Sequence, residues 1–256
     1  MKVIGASSLL LLTQSSVASA ALYDSVFRSN MVQEYPCNRW RPPRNASAWN
    51  STRDAADYGT ICPSVLTNTG DYNLSEDCLD LNIWSAAASV DAKLPVMIWS
   101  TPAISTARDA FLDGGGMAAQ NVVYVNYNRR DGVFGFVAHP ELSGEMLTEV
   151  GVHASGNWGI LDQFAALQSG IRYPYDPLCS TLAENYVALA TAEATGESAV
   201  VSFSVSSIAE LREVDMDTLV FAMASFHSVL DGTTYLETLQ SGPSNDVPLI
   251  TGNTND

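Results

Sequence analysis

Apolar positions along this chain gather into short continuous runs. Residues 79–84, 95–99, 122–126 and 248–252 each read as a strand bounded by turn formers. The last three are almost unbroken apolar or β-branched stretches, a pattern that predicts strands buried on both faces of a mostly parallel sheet. Residues 161–168, 181–193 and 217–225 carry helical patterning between them. Such alternation predicts an α/β fold with helices on both faces. With no internal repeat, low-complexity tract or long linker to divide it, the chain is expected to form one domain over residues 21–256.

Residues 1–20 stand apart. Lys2 precedes an apolar stretch from Val3 to Leu12, and Ala18-Ser19-Ala20 offers the small residues of a cleavage site. That is the layout of a signal peptide. A membrane span needs about 20 apolar residues, whereas Thr13, Gln14, Ser15 and Ser16 interrupt this run early. A secreted, extracellular protein without a membrane span is therefore expected. Three sequons fit that compartment: Asn45-Ala46-Ser47, Asn50-Ser51-Thr52 and Asn73-Leu74-Ser75. Against 28 acidic residues stand only 12 Lys and Arg, giving a formal charge of −16 that repels phosphate backbones. Nucleic acid is excluded as a partner. In an exported chain the four cysteines predict disulfides, since no C-x-x-C spacing points to zinc.

The run Ser75-Glu76-Asp77-Cys78-Leu79-Asp80-Leu81-Asn82-Ile83-Trp84 resembles the E-D-C-L-x-L-N signature of the type-B carboxylesterases, which include the cholinesterases. Further blocks follow in that family's order. Leu94-Pro95-Val96-Met97-Ile98-Trp99 is similar to the strand before its oxyanion loop, and Gly132-Val133-Phe134-Gly135-Phe136 to the next block. Gly156-Asn157-Trp158-Gly159-Ile160-Leu161-Asp162-Gln163 resembles the G-N-x-G-L-x-D-Q helix start, Phe226–Gly232 the F-x-P-V-x-D-G block and Asp246–Asp256 the D-V-P-L-I-x-G-x-T-x-D block. The resemblance implies an α/β-hydrolase sheet and hydrolysis of a small-molecule carboxylic ester through an acyl-serine, with no cofactor and no metal. It also implies a Cys62–Cys78 disulfide and two ion pairs, Arg39 with Glu76 and Arg130 with Asp162. Cys37 and Cys179 either pair or stay free.

The catalytic parts do not follow the blocks. A triad hydrolase needs a serine on a strand-to-helix elbow, a histidine oriented by an acid, and backbone donors for the oxyanion. After Trp99 the chain reads Ser100-Thr101-Pro102-Ala103-Ile104-Ser105, where the family has a glycine-rich turn. Gly114-Gly115-Gly116 lies too late and matches a turn leading into a helix. Gly196-Glu197-Ser198-Ala199 imitates the G-E-S-A-G elbow, but Val200 replaces the last glycine and the motif falls after Leu167-Gln168-Ser169-Gly170, which it should precede. Moreover, Ser198 follows a helical stretch and precedes the β-prone 200–205, the reverse of an elbow. Ser198 is thus a weak catalytic candidate, better read as an exposed helix-to-loop serine.

His139, His153 and His227 fall where the family places no base, and Asp231, Asp246 and Asp256 lack metal-site spacing. Asp215 and Asp217 read as charges complementing a helix start. Because Ala166-Leu167-Gln168-Ser169-Gly170 follows Gln163 at once, the central nucleophile strand is expected to be missing, and the resemblance places the acid and histidine of the C-terminal part beyond Asp256. The expectation is an incomplete, truncated α/β-hydrolase domain without catalysis. A non-catalytic extracellular binding module, or an esterase using Ser198 in a rebuilt site, are the alternatives.

Overall fold

The structure, a computed structural model, describes residues 2–4, 23–27, 39–44, 52–54, 57–65, 72–89, 91–100, 109–170, 187–222 and 226–231. Strand β1 (Lys2–Ile4) is the part of the expected signal segment that falls within them, and β3 (Thr52–Asp54) pairs with it antiparallel. Asn45, Asn50, Cys37, Cys179, Asp246, Asp256, residues 101–108 and the expected strand 248–252 lie outside the described residues.

The main described sheet has the order β2 (Tyr23–Phe27), β4 (Leu81–Ser85), β6 (Val123–Tyr127), β5 (Val96–Ser100). β5 and β6 run parallel, with Met97 beside Tyr124 and Trp99 beside Asn126. β2, β4 and β6 pair antiparallel, forming the antiparallel margin that mixed sheets of this class commonly carry. Ile83, Val125 and Ile98 stand in one row across β4, β6 and β5. That register places Leu81, Val125 and Tyr127 in one apolar cluster with Ala166.

Burial on both faces holds for β6 but not for β5. Tyr124, Val125 and Tyr127 are buried, whereas Val96, Met97 and Trp99 stay 47%, 41% and 45% exposed. The reason is position: β5 ends the described sheet, and among the described residues it pairs with β6 alone.

A 3₁₀ turn (Ala110–Leu112) and α1 (Gly115–Ala118) connect β5 to β6. α2 (Gly132–Phe136), α3 (Pro140–Val150) and α4 (Trp158–Gly170) follow. His139 caps α3, its ring Nδ1 accepting the Glu141 N–H at 3.1 Å, and Pro140 opens the first turn, where its missing N–H costs nothing. The expected helix 161–168 lies inside α4.

Of the expected helix 181–193, residues 181–186 lie outside the described residues, and the described part begins as a strand. Val187–Ala188 form β7, parallel to β8 (Val229–Leu230), and helix α5 runs Leu189–Ser202. This helix also overrides the β-prone reading of residues 200–202. Ala192, Gly196, Ala199 and Val200 recur at helical spacing and are all buried, so packing outweighs the intrinsic preference of valine for strands.

Two short helices complete the described fold, α6 (Ile208–Arg212), capped by Ser207 Oγ on the Glu210 N–H at 3.2 Å, and α7 (Met216–Leu219). The helix expected over 217–225 stops at Leu219. Leu219 and the next residue, Val220, are both buried, and the chain turns there, the Ala222 N–H donating to the Leu219 carbonyl at 2.9 Å. With Trp40, Phe134, Leu142, Trp158 and Leu211 they line the largest apolar cluster.

Candidate active site

Residues 39 and 40 enter the interior side by side. Arg39 and Trp40 are buried, and Trp40 adopts φ 57°, a left-handed backbone that a bulky residue enters only at a cost of about 1–3 kcal/mol. What holds it is on both flanks. The Trp40 indole N–H donates to the Val133 carbonyl at 2.8 Å, and Arg39 Nε donates to Glu76 Oε2 at 2.8 Å while Nη2 meets Oε1. Arg39 Nη1 reaches the carbonyls of Arg212 at 3.1 Å and Val214 at 2.8 Å. The guanidinium therefore ties the signature block to the turns after α6. Arg130 and Asp162 form a second buried pair: Nε and Nη2 donate to the two carboxylate oxygens at 2.8 and 2.7 Å, and the Arg130 backbone N–H adds a third bond at 3.0 Å. Both carboxylates are buried and face a guanidinium with each of their oxygens. They are fastenings.

Ser198 sits in mid-helix on the exposed face of α5, and its Oγ donates to the Ala194 carbonyl at 2.9 Å. That is the local back-bond of a helical serine. A strand before it and a sharp turn at it are what an elbow requires, and α5 supplies neither. Gly196, the first glycine of the motif, has a packing role instead. A Cβ there would stand 1.8 Å from the Ala138 carbonyl oxygen, so only glycine lets α5 lie against the 137–139 segment. The Gly-Glu-Ser likeness comes from a helix crossing.

Gly114-Gly115-Gly116 leads into α1, as its sequence suggests. A Cβ on Gly114 would meet the Tyr124 ring at 2.3 Å and Trp84 at 2.7 Å, and the Gly115 N–H is taken by Asp113 Oδ1 at 2.8 Å. Gly114 packs on the sheet, whereas Gly116 is exposed. His139 is committed to its cap, while His153 and His227 are exposed. Asp231 accepts the Asn157 amide at 2.9 Å. Among the described residues no group of three or more His, Cys, Asp or Glu is placed to hold a metal ion.

Sequence reasoning missed a buried polar chain between α3 and α5. Ser143 Oγ donates to Glu193 at 2.5 Å and shares a 2.8 Å bond with Ser155 Oγ, which accepts the His139 backbone N–H at 3.2 Å. It superficially resembles a relay, but the histidine joins through its backbone and not its ring. Both serines are buried. The role of Asn157 was equally hidden: its amide donates to the Val229 carbonyl and accepts the Val229 N–H, each at 2.9 Å, fixing β8 at the start of α4.

Among the described residues three carboxylates depart from their ordinary behaviour, and the exposed Glu210 is held below the usual range by the Ser206 backbone and hydroxyl hydrogen bonds. Burial pushes Asp131 up to about 6, with Arg129 pulling it back down and Asp162 pushing further up. Glu145 is held below the usual range, first by the hydrogen bonds from Arg212 at 2.7 and 2.8 Å, which outweigh its partial burial. Cys62 and Cys78 are joined by a disulfide.

The carboxylesterase family model matches residues 35–169, more than half of the 256-residue chain. The chain belongs to the carboxylesterase family. It is similar to the fumonisin B1 esterase of Sphingopyxis macrogoltabida, 41% identical over 143 residues that cover 52% of this chain and 26% of that enzyme. Carboxylesterase 5A of Canis lupus familiaris is 36% identical over 50% of this chain and 23% of its own. With the rabbit (Oryctolagus cuniculus) cocaine esterase the likeness is 30% and reaches 71% of this chain, 41% of that one.

Among solved structures, the Geobacillus stearothermophilus carboxylesterase EST55 superposes with a TM-score of 0.66 at 24% identity, over 86% of this chain and 56% of that one. A PNB esterase gives 0.66 at 22%, over 82% and 54%. These two likenesses are of fold, and the fold is that of the α/β-hydrolases. The carboxylesterase chain here thus spans about half the length of its structural neighbours, and less of the curated relatives. Among its described residues, no helix is long and apolar enough to cross a membrane.

Proposed function

We propose that this chain is part of a secreted carboxylesterase, and that the polypeptide as it stands does not turn over esters through an acyl-serine. Family membership gives the reaction class, carboxylic ester hydrolysis on a small-molecule substrate. The observation that carries the second half is Ser198, back-bonded in mid-helix on an exposed face, where nothing lowers the energy of its alkoxide. In serine hydrolases, losing the nucleophile or its base costs roughly 10⁶-fold in turnover. A strand and elbow interposed between Gln163 and Gln168 would restore the nucleophile that the family requires, and α4 runs through that point without interruption.

The test is a time course with a short-chain p-nitrophenyl ester. Release at the rate of buffer, unchanged by a serine-directed inhibitor and by Ser198→Ala, is the expected result. Inhibitor-sensitive release that vanishes in Ser198→Ala overturns the proposal. Sequencing the transcript between the codons for Gln163 and Gln168 gives an independent check, since an in-frame elbow found there makes the interruption a property of this form alone.

A further inference from the structure

Asn73 lies in the segment that the disulfide closes on itself. The segment runs from Cys62 to Cys78, a sequence separation of 16, and its two ends are clamped together at more than the sulfur atoms. Ile61 donates its N–H to the Asn73 carbonyl at 3.0 Å and accepts the Ser75 N–H at 3.1 Å, so the backbone is pinned on both sides of Leu74. Thr60 Oγ1 bonds the Asp77 carbonyl, and the Ser75 hydroxyl accepts the Asp77 N–H at 3.1 Å. Within this clamp the Asn73 residue is exposed.

From this geometry we infer that Asn73 carries an N-linked glycan, attached before the Cys62–Cys78 disulfide closes. The inference rests on the secretory reading above. Chemically, Asn73 Nδ2 forms a bond to the anomeric carbon of an oligosaccharide carried on a polyprenyl pyrophosphate. The bond from that carbon to the pyrophosphate oxygen breaks, the amide gives up one proton, and the lipid pyrophosphate leaves. The finished fold accommodates the product because the side chain faces solvent and the clamp uses only the backbone of Asn73. Yet the same clamp blocks the reaction. A transferase must bind the sequon as a free extended segment and engage the Ser75 hydroxyl, whereas in the fold both flanks of Leu74 are bonded to Ile61 and that hydroxyl accepts the Asp77 N–H. Closure and glycosylation therefore compete, and the sugar must arrive first.

The test uses the full chain carrying Asn45→Gln and Asn50→Gln, expressed in a eukaryotic secretory host, so that a single glycan step reports Asn73. One arm keeps residues 1–20, and a second replaces them with a leader known to work. The expected result is one endoglycosidase-sensitive step, absent in Asn73→Gln, whose occupancy in newly made chains rises when a reductant is present during synthesis and likewise in Cys78→Ser. Reading newly made chains before export keeps the test independent of whether Cys78→Ser folds. An unmodified Asn73 behind the working leader overturns the site, and occupancy indifferent to both reductant and Cys78→Ser overturns the order. Retention in the cytosol of the chain with its own residues 1–20 counts against secretion alone, because the second arm still reads Asn73.

Discussion

The two sides of β6 differ in a way that separates architecture from chemistry. Toward α2 and α4, charged side chains are buried and paired, Arg39 with Glu76 and Arg130 with Asp162, each guanidinium bonding both carboxylate oxygens. Toward β5, apolar side chains remain uncovered. A buried ion pair contributes little net stability because desolvation offsets attraction, but it commits its two segments to one geometry. β5 carries no such pair, and among the described residues it is bonded along its β6 side alone.

Breaking a buried pair should give the largest effect. Asp162→Ala strands the Arg130 guanidinium and removes three bonds at once, so a loss of about 3–5 kcal/mol in urea unfolding is expected. A loss below 1 kcal/mol means that water reaches Arg130 and the contrast is false. Next comes the disulfide. Replacing Cys62 and Cys78 together by Ser should cost about 3 kcal/mol by the loop-entropy argument, measured against the same protein under oxidising conditions.

Asp131 allows the paired side to be probed with pH. Its folded pKa of about 6 lies above the value near 3.8 of a free carboxyl. Between those values the native state binds more protons than the unfolded one, so this group makes stability fall as pH rises, reaching its full penalty above 6. A shift of about two units sets that penalty on the order of 3 kcal/mol. Asp131→Asn should remove this part of the slope in unfolding curves between pH 4 and 7. Glu145 works in the opposite direction, its contribution being present at neutral pH and lost as pH falls. If Asp131→Asn leaves the slope unchanged, its pairing with Arg129 at 2.8 Å already offsets the burial.

How much of this was legible follows the same division. The strands at 81–85, 96–100 and 123–127 could be read to within two residues because apolar runs of that length have few other uses. The core of α4 was legible for its helical spacing. α3 was missed, although His139-Pro140-Glu141 spells a helix start, and so was the Ser207–Glu210 cap that opens α6. The start of α5 was not legible, because Val187 chooses strand only through its pairing with Val229. At the candidate site, the order of blocks argued against Ser198, but no local signal showed that Gly196 serves a helix crossing. Gly196→Ala should cost about 1–3 kcal/mol through the Ala138 carbonyl, while Ser198→Ala should stay within about 0.5 kcal/mol. An elbow would reverse that ranking in activity.

Met97 and Tyr124 offer the finest form of the comparison, since they stand side by side on β5 and β6. Tyr124 is buried against Trp84, their rings 5.7 Å apart, and its truncation to Ala should cost about 3–5 kcal/mol, as for other buried aromatic residues. Met97, 41% exposed, already keeps much of its surface in water, so Met97→Ala should cost under about 1 kcal/mol. A buried methionine would lose about 2–5 kcal/mol in the same substitution. Should Met97 behave that way, something covers β5 in solution, and dilution identifies it. A cost that shrinks on dilution points to a second copy of the chain added at the sheet edge, whereas a cost independent of concentration points to a segment of the same chain.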